Sequence, residues 1–335
     1  MASLKNELKL MKIIVALLSV VIIGLFLYIM YPSIKVAVYG QPAGSRLTGI
    51  STPITNMELS AINNASNSYF EIAGEKLLNL SLPNEQGGNG TYAGPLFQAS
   101  VTRQVQANAL LINGKPSVIY IGAISCIYCA ENRWAMALAL SRFGSFNRLY
   151  TGYSSLGDGD LPTLYWNKEN YTSNGTVQFG NYYQSNYINF ISSEYDSQIS
   201  SGFQFPKSQN PITFFTSNAP NATYSTALEF MNRTNMFEGT PFTFWGTSLD
   251  RGANGVVFGN ATTTNSTATT NLLPISHMTH SQIFDQLSSF NSTFSYEEYA
   301  VADIYIAEVC PSINNAASAC SLPAIRSMEK MMGLA

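Results

Sequence analysis

Apolar and polar positions in the middle of the chain predict a strand, a helix and a second strand in succession. Ser117–Ala123 (SVIYIGA) is almost entirely apolar, which is typical of a strand buried on both faces. From Cys126 to Gly144, apolar residues recur at helical spacing. Phe146–Tyr153 then resembles another strand. This strand–helix–strand order predicts the beginning of a parallel sheet.

The other patterns predict helices and short strands on either side of this unit. Apolar residues before an Asn113-Gly114 pair predict a hairpin turn. Asn56 is suited to cap the first helix. The predicted helices are Asn56–Leu80, Tyr224–Asn235, His280–Phe290, Tyr296–Val309 and Leu322–Met332. The predicted strands are Thr163–Trp166, Tyr187–Ser192, Gly239–Gly246 and Gly255–Gly259, of which the last two could pair.

The N-terminal hydrophobic run predicts a membrane anchor. Ile13–Tyr31 carries no charge and is long enough to cross a hydrocarbon core of roughly 30 Å. Lys5, Lys9 and Lys12 precede it, so we expect a cytoplasmic N-terminus and an extracellular C-terminal domain in a single-pass protein of the cell membrane. A cleaved signal peptide is the alternative, but it would have a shorter apolar core.

The composition fits an extracellular domain. Charged residues make up only 11% of the 335 residues, against roughly 25% in ordinary soluble domains. Such a fold would lose little when its carboxylates become protonated, which suggests an archaeal cell surface facing acid. The segment after the anchor holds ten glycosylation sequons, although an Asn-rich chain forms some by chance. They begin at Asn64, Asn79, Asn89, Asn170, Asn174, Asn221, Asn232, Asn260, Asn265 and Asn291.

Cys126 and Cys129 form a CxxC pair where the predicted strand meets the predicted helix. Two intervening residues at a helix start bring both Cβ atoms within disulfide reach. The helix N-terminus favours a thiolate at Cys126, and a thiolate is the species that attacks a disulfide. Cys129 would face inward and resolve the mixed disulfide.

Two motifs make the chain resemble the thioredoxin fold over roughly Leu110 to Phe290. One is the CxxC pair, and the other is Gly239-Thr240-Pro241-Phe242 before a strand. In thioredoxin-like proteins the corresponding proline is cis and lies beside the CxxC. The resemblance therefore implies that Thr240, Pro241 and Tyr128 position a substrate chain next to Cys126.

A narrower resemblance is to an uncharacterised family of cell-surface proteins from thermoacidophilic archaea, domain of unknown function 929. Its Ser-Cys-x-Tyr-Cys-Ala-x-x-Arg-Trp pattern is matched by Ser125, Cys126, Tyr128, Cys129, Ala130, Arg133 and Trp134. The family looks thioredoxin-like but has no settled activity.

The chain departs from common thioredoxin-like sequences at two positions. Ser125 replaces the aromatic residue that often precedes the first cysteine, and Tyr120 stands where a buried acid often takes the proton of the second thiol. Glu131 is close in sequence but is expected on the helix surface. These departures weaken the expectation of a fast, general oxidoreductase.

Two other interpretations of the CxxC pair have to be considered. A permanent structural disulfide suits an oxidising exterior. Half a zinc site would need two more ligands, and the only histidines, His277 and His280, are expected on the surface. We therefore expect no metal and no cofactor. Cys310 and Cys320 are expected to form a structural disulfide between the terminal helices.

Other functional classes lack their motifs. The sequence has no P-loop, no HExxH and no nucleophile elbow, and its net charge of −3 without a basic block argues against nucleic-acid binding.

We therefore expect an α/β protein, a thioredoxin-like fold with an insertion and extra helices, preceded by one transmembrane helix. The expected divisions are a cytoplasmic tail (1–12), an anchor (13–31), a stalk and packing helix (32–95), a thioredoxin-like domain (96–292) with an insertion (154–218), and a C-terminal helical extension (293–335).

Two functions follow from this organisation. One is thiol–disulfide exchange with secreted or membrane proteins, which would make the chain a protein thiol–disulfide oxidoreductase. The alternative is a redox-inert surface glycoprotein or accessory subunit that uses the fold as a scaffold. Its contact surface would be the aromatic residues of the insertion, Trp166, Tyr182, Tyr183 and Tyr187.

Overall fold

The structure is a computed structural model that describes most of the chain beyond residue 51. The described residues are 52–79, 96–98, 103–104, 109–124, 126–154, 161–167, 177–195, 215–217, 219–233, 241–251, 255–257, 275 and 278–334. No helix among them is both long enough and apolar enough to span a membrane. The predicted anchor, residues 13–31, lies outside them.

The helices are numbered in chain order. They are α1 (Asn56–Asn63), α2 (Asn67–Leu78), α3 (Ile127–Leu140), α4 (Ala222–Arg233), α5 (His280–Ser289), α6 (Thr293–Val309) and α7 (Pro323–Met331), with short 3-10 turns at Cys310–Ile313 and Ser318–Ser321.

The strands are shorter and more numerous. They are β1 (Thr52–Pro53), β2 (Leu96–Gln98), β3 (Arg103–Gln104), β4 (Leu111–Ile112), β5 (Lys115–Ala123), β6 (Gly144–Arg148), β7 (Tyr150–Tyr153), β8 (Pro162–Tyr165), β9 (Val177–Phe179), β10 (Tyr182–Ser185), β11 (Asn189–Tyr195), β12 (Phe242–Trp245), β13 (Ser248–Arg251) and β14 (Gly255–Val257). The chain is therefore a mixed α/β protein.

Strand β5 lies in the middle of the main sheet, whose strand order is β3-β13-β12-β5-β11-β9. Strand β11 runs parallel to β5, whereas β12 runs antiparallel to it on the other side. The apolar character of β5 follows from this position, because alternate residues enter two different cores. Val118 and Tyr120 face a core that includes α3 and α6, and Ile119 and Ile121 face one that includes α4.

Several local predictions are confirmed. The Asn113-Gly114 turn joins β4 to β5 in an antiparallel hairpin, and both turn residues have positive φ (53° and 77°). Helix α3 begins directly after Cys126. The helices predicted from Tyr224, His280, Tyr296 and Leu322 correspond to α4, α5, α6 and α7 within a few residues.

The helix predicted over Asn56–Leu80 is instead two helices, α1 and α2. Thr55, rather than Asn56, caps α1 through a capping box with Glu58. Ser66 then caps α2, accepting a hydrogen bond from the Ser68 N–H. A second Ser cap inside an otherwise helical pattern ends the first helix and begins the second.

Two predicted strand pairings are wrong. Phe146–Tyr153 is split between β6 and β7, and neither pairs with β5; β6 pairs with β10, and β7 with β1 and β8. The parallel partner of β5 is β11, which lies within residues 154–218, the segment assigned to an insertion. Strand β14 pairs with β2 rather than with β12, whose hairpin partner is β13. Apolar runs predict strands but not their neighbours, which depend on contacts distant in sequence.

Candidate functional site

Two cysteines lie where β5 passes into α3. Cys126 is the N-cap residue of α3, and its Sγ accepts a hydrogen bond from the Cys129 N–H at 3.5 Å. The Sγ of Cys129 accepts one from the Ala123 N–H at 3.4 Å. Cys126 is partly exposed and Cys129 is buried. At this cap position the backbone N–H groups of the first helical turn, which have no partner within the helix, face a sulfur that solvent can reach.

The two cysteines are present as thiols, and their acidities differ. The hydrogen bond from the Cys129 thiol has the largest effect on the pKa of Cys126, and it lowers that pKa. With smaller contributions from the Cys129 and Tyr128 amides and from Arg133, it outweighs burial and lowers the pKa of Cys126 to about 6. Burial raises the pKa of Cys129 well above its ordinary value. The outer sulfur is therefore suited to attack as a thiolate, while the inner one keeps its proton.

A buried ion pair lies beside the cysteines. Arg133, on α3, donates hydrogen bonds from Nε and Nη2 to Oε1 of Glu194 on β11, the first at 2.9 Å. Its Nη2 also donates to the Ala123 carbonyl at 3.0 Å, and its Nη1 to Oγ1 of Thr163 at 3.3 Å. Burial alone would lower the pKa of Arg133, but the Glu194 carboxylate raises it, so the guanidinium stays charged.

Tyr120 lies six residues before Cys126, at the position where many thioredoxin-like sequences have a buried acid. Its ring lies over Gly122, where an added Cβ would come within 2.3 Å of the hydroxyl oxygen. Among the described residues, this hydroxyl has no hydrogen-bond partner of good geometry. Burial raises the pKa of Tyr120 well above its ordinary value; the charge of Arg133 opposes this, and the nearby Cys129 and Glu194 add to it. A tyrosine hydroxyl with a raised pKa keeps its proton, so Tyr120 is not suited to accept the proton of Cys129.

Pro241 and Tyr128 border the cysteine pair differently. Pro241 is buried immediately before β12, and Phe242 pairs with Ile121 near the end of β5 that leads to Cys126. Pro241 therefore lies at the same end of the sheet as the cysteines. Tyr128 is 38% exposed, whereas Thr240 lies outside the described residues.

Sequence reasoning missed the role of Glu194 and misplaced Glu131. Glu194 lies two residues beyond the predicted strand Tyr187–Ser192, in the polar half of β11, and nothing local indicates that its partner is Arg133. Glu131 was expected on the helix surface, yet it is only 3% exposed. Helix α6 packs against α3 and covers it.

His280, expected on the surface, is partly buried and hydrogen-bonded to the backbone. Its Nε2 lies 2.7 Å from the Gly152 carbonyl and 3.1 Å from the Thr163 carbonyl, so Nε2 carries the proton and donates. Burial lowers the pKa of His280. His277 lies outside the described residues, and within the described part of the chain no three His, Cys, Asp or Glu side chains are grouped to hold a metal ion.

The aromatic residues assigned to a contact surface are not all on the surface. Trp166 is 1% exposed and stacks on Phe146, so it belongs to the core. Tyr182 and Tyr183 are partly buried, and Tyr187 is 37% exposed. Only Tyr187 of this set offers an exposed ring for a partner.

A family model covers these residues in one continuous match. The family model Domain of unknown function (DUF929) matches residues 102–294, more than half of the chain. This chain belongs to the DUF929 family. No curated protein and no solved structure matches it.

The DUF929 match contains the whole candidate site, from Tyr120 through Glu194 to Pro241. It excludes α1 and α2, and it ends at the beginning of α6. These outer helices nevertheless pack on one another, because α2 and α7 both contact α6, which contacts α3. The elements flanking the family match therefore cover the helix that carries the cysteines.

A disulfide joins Cys310 and Cys320 outside the family match. Their sulfurs are 1.98 Å apart, and both residues are buried. The bridge connects the end of α6 to the turn before α7, where the sequence placed it.

Five of the ten sequon asparagines are described by the structure, and all five are exposed. They are Asn64, Asn79, Asn221, Asn232 and Asn291. The other five, Asn89, Asn170, Asn174, Asn260 and Asn265, lie outside the described residues.

Proposed function

We propose that this DUF929 protein is a thioredoxin-like thiol–disulfide oxidoreductase or isomerase that acts on secreted proteins. The observation that carries the proposal is the asymmetry of the CxxC pair. Cys126 is partly exposed with a lowered pKa, and Cys129 is buried with a raised one. Attack by one sulfur followed by resolution by the other requires this difference.

The strand order supports a thioredoxin-like fold. The consecutive strands β13, β12, β5 and β11 combine one parallel pair with two antiparallel pairs. Helices α3 and α6 lie on one face of the sheet, and α4 lies on the other. A CxxC pair at the end of the central strand and a proline at the start of its antiparallel neighbour are what that fold uses to hold a substrate.

The proposed reaction proceeds through two exchanges. The Cys126 thiolate attacks one sulfur of a substrate disulfide, forming a mixed disulfide and releasing the other sulfur as a thiolate, which takes a proton from solvent or from Cys129. Cys129 then passes its proton to water or to the released substrate thiolate and attacks Sγ of Cys126, breaking the mixed disulfide. This forms the Cys126–Cys129 disulfide and releases the second substrate thiolate. The substrate disulfide gains two electrons and the cysteine pair loses them; the reverse sequence oxidises a substrate dithiol.

A trapping experiment tests this function. Cys129→Ala should accumulate mixed disulfides with secreted proteins, because Cys126 attacks but nothing resolves the product. The double variant Cys126→Ala/Cys129→Ala is the control and should trap nothing. A reduction potential below roughly −300 mV, together with no trapped partner in Cys129→Ala, would show that the pair is a structural disulfide.

We further propose that residues 13–31 anchor the protein in the cell membrane, with residues 1–12 in the cytoplasm and the domain outside. The apolar run and the preceding lysines support this proposal. It predicts that the protein stays with membranes after high-salt washing. Protease added to intact cells should digest the domain. Protection of the domain in intact cells would contradict the orientation.

Glycosylation of some of the exposed sequon asparagines would accompany this location. Mass analysis of protein isolated from its own cells tests it, and unmodified asparagines at all ten sequons would exclude it.

A further inference from the structure

Arg133 is a charged side chain connected to the cysteine pair through the backbone of Ala123. It is fully buried on α3, four residues after Cys129. Residues spaced by four on a helix lie one above the other on the same face, about 5–6 Å apart at Cβ. The Arg133 backbone therefore lies about one helical turn after Cys129, and its side chain reaches back toward the N-terminal end of α3, where it contacts the Ala123 carbonyl.

A single residue links this guanidinium to the thiol. The carbonyl of Ala123 accepts from Nη2 of Arg133, while the N–H of Ala123 donates to Sγ of Cys129. The peptide groups on either side of Ala123 thus tie the cation and the inner sulfur to the same end of β5. Rotation or withdrawal of the Arg133 side chain would break a hydrogen bond at the edge of the site.

Buried charges act strongly on their neighbours, because no water screens them. The positive charge of Arg133 favours a thiolate at Cys126 and at Cys129. Glu194 offsets part of it, since the two side chains form an ion pair. Only one carboxylate oxygen of Glu194 is used in this pair; within the described structure, Oε2 has no hydrogen-bond partner.

We propose that Arg133 is a positioning residue whose buried positive charge stabilises the thiolate forms of the cysteine pair, and that Glu194 sets how much of that charge the sulfurs experience. This assignment rests on the proposed exchange function for its purpose, but its physical content is independent of any substrate. The net positive influence of Arg133 would stabilise the reduced thiolate form and hence make the pair more oxidising toward dithiols.

The test measures the rate at which iodoacetamide alkylates Cys126 in the reduced protein as a function of pH. Removing both charges with Arg133→Met/Glu194→Met keeps the site apolar, because a buried ion pair can often be replaced by apolar residues without loss of folding. We expect the midpoint of Cys126 alkylation to rise by about one pH unit. Glu194→Gln leaves the guanidinium unopposed and should move the midpoint the other way.

Two further variants separate charge from structure. Arg133→Lys keeps a cation at the same place, so its midpoint should lie closer to that of the wild type than the double variant's does. Arg142 is a matched control at the other end of the α3 region, where it donates to the Ala65 and Asn63 carbonyls. Arg142→Met should lower stability without moving the Cys126 midpoint.

The outcomes distinguish this inference from the proposed function. A folded Arg133→Met/Glu194→Met protein with an unchanged midpoint would overturn the inference. A shift of Glu194→Gln in the same direction as the double variant would overturn it equally. If the midpoints move as expected but the pair has a reduction potential below roughly −300 mV and Cys129→Ala traps no partner, the assignment of Arg133 stands and the exchange function falls.

Discussion

Glu131 on α3 and Glu298 on α6 bury their carboxyl groups in the contact between these two helices. Burial raises the pKa of both; Glu298 and Glu297 raise that of Glu131 further, and Glu297 raises that of Glu298. The Ala135 amide on α3 offsets part of this at Glu298. Asp303 is likewise buried, with a raised pKa, near Glu71. A fold with these groups in its interior holds protons that the unfolded chain would release.

The first prediction is that the protein is more stable in acid than at neutral pH. The contributions of Glu131, Glu298 and Asp303 are fully present below their unfolded pKa values, near about pH 4, and are lost as the pH rises through the raised folded values. His280, whose pKa is lowered, acts in the opposite direction and loses its contribution as the pH falls. Urea unfolding at a series of pH values measures the balance.

Two substitutions check the origin of this pH dependence. Glu298→Gln and Asp303→Asn should each flatten the fall in the free energy of unfolding between about pH 4 and pH 7, because an amide does not titrate. The exposed Glu75→Gln is the matched control and should leave the slope unchanged. A free energy of unfolding that rises steadily from pH 4 to pH 7 in the wild type would contradict the prediction.

The second prediction is that Tyr120→Phe stabilises the protein. The Tyr120 hydroxyl is buried and has no good hydrogen bond among the described residues, so its removal should raise the free energy of unfolding by about 1 kcal/mol. Tyr165→Phe is the paired comparison, because its hydroxyl donates to the Tyr153 carbonyl at 2.7 Å. That substitution should lower stability by about 1 kcal/mol. Equal losses in both variants would mean that Tyr120 makes a stabilising bond.

The third prediction concerns the disulfide between Cys310 and Cys320. The bridge closes a loop with a sequence separation of 10, so Cys310→Ala/Cys320→Ala should lower the free energy of unfolding by about 2–3 kcal/mol on the chain-entropy model. Denaturant unfolding measures this. A reducing agent should destabilise the wild type by a similar amount and leave the double variant unaffected. A wild type as stable with the reductant as without it would show that the bridge contributes nothing.

Local sequence was sufficient for the elements whose causes are local. The Asn113-Gly114 turn, the cap at Cys126 and the amphipathic α5 each follow from residues within a few positions of one another. The CxxC pair was recognised for the same reason, because two cysteines at that spacing before a helix restrict the geometry by themselves.

The tertiary structure alone decided which distant residues meet. Strand β5 lies beside β11 rather than beside β6, and this pairing brings Glu194 to Arg133, 61 residues away in sequence. Helix α6 covers α3, and this contact turns Glu131 from an expected surface residue into a buried one. Neither contact leaves a periodic signal. A hydrophobic pattern states which face of an element is buried, whereas the partner of that face depends on how the whole chain packs.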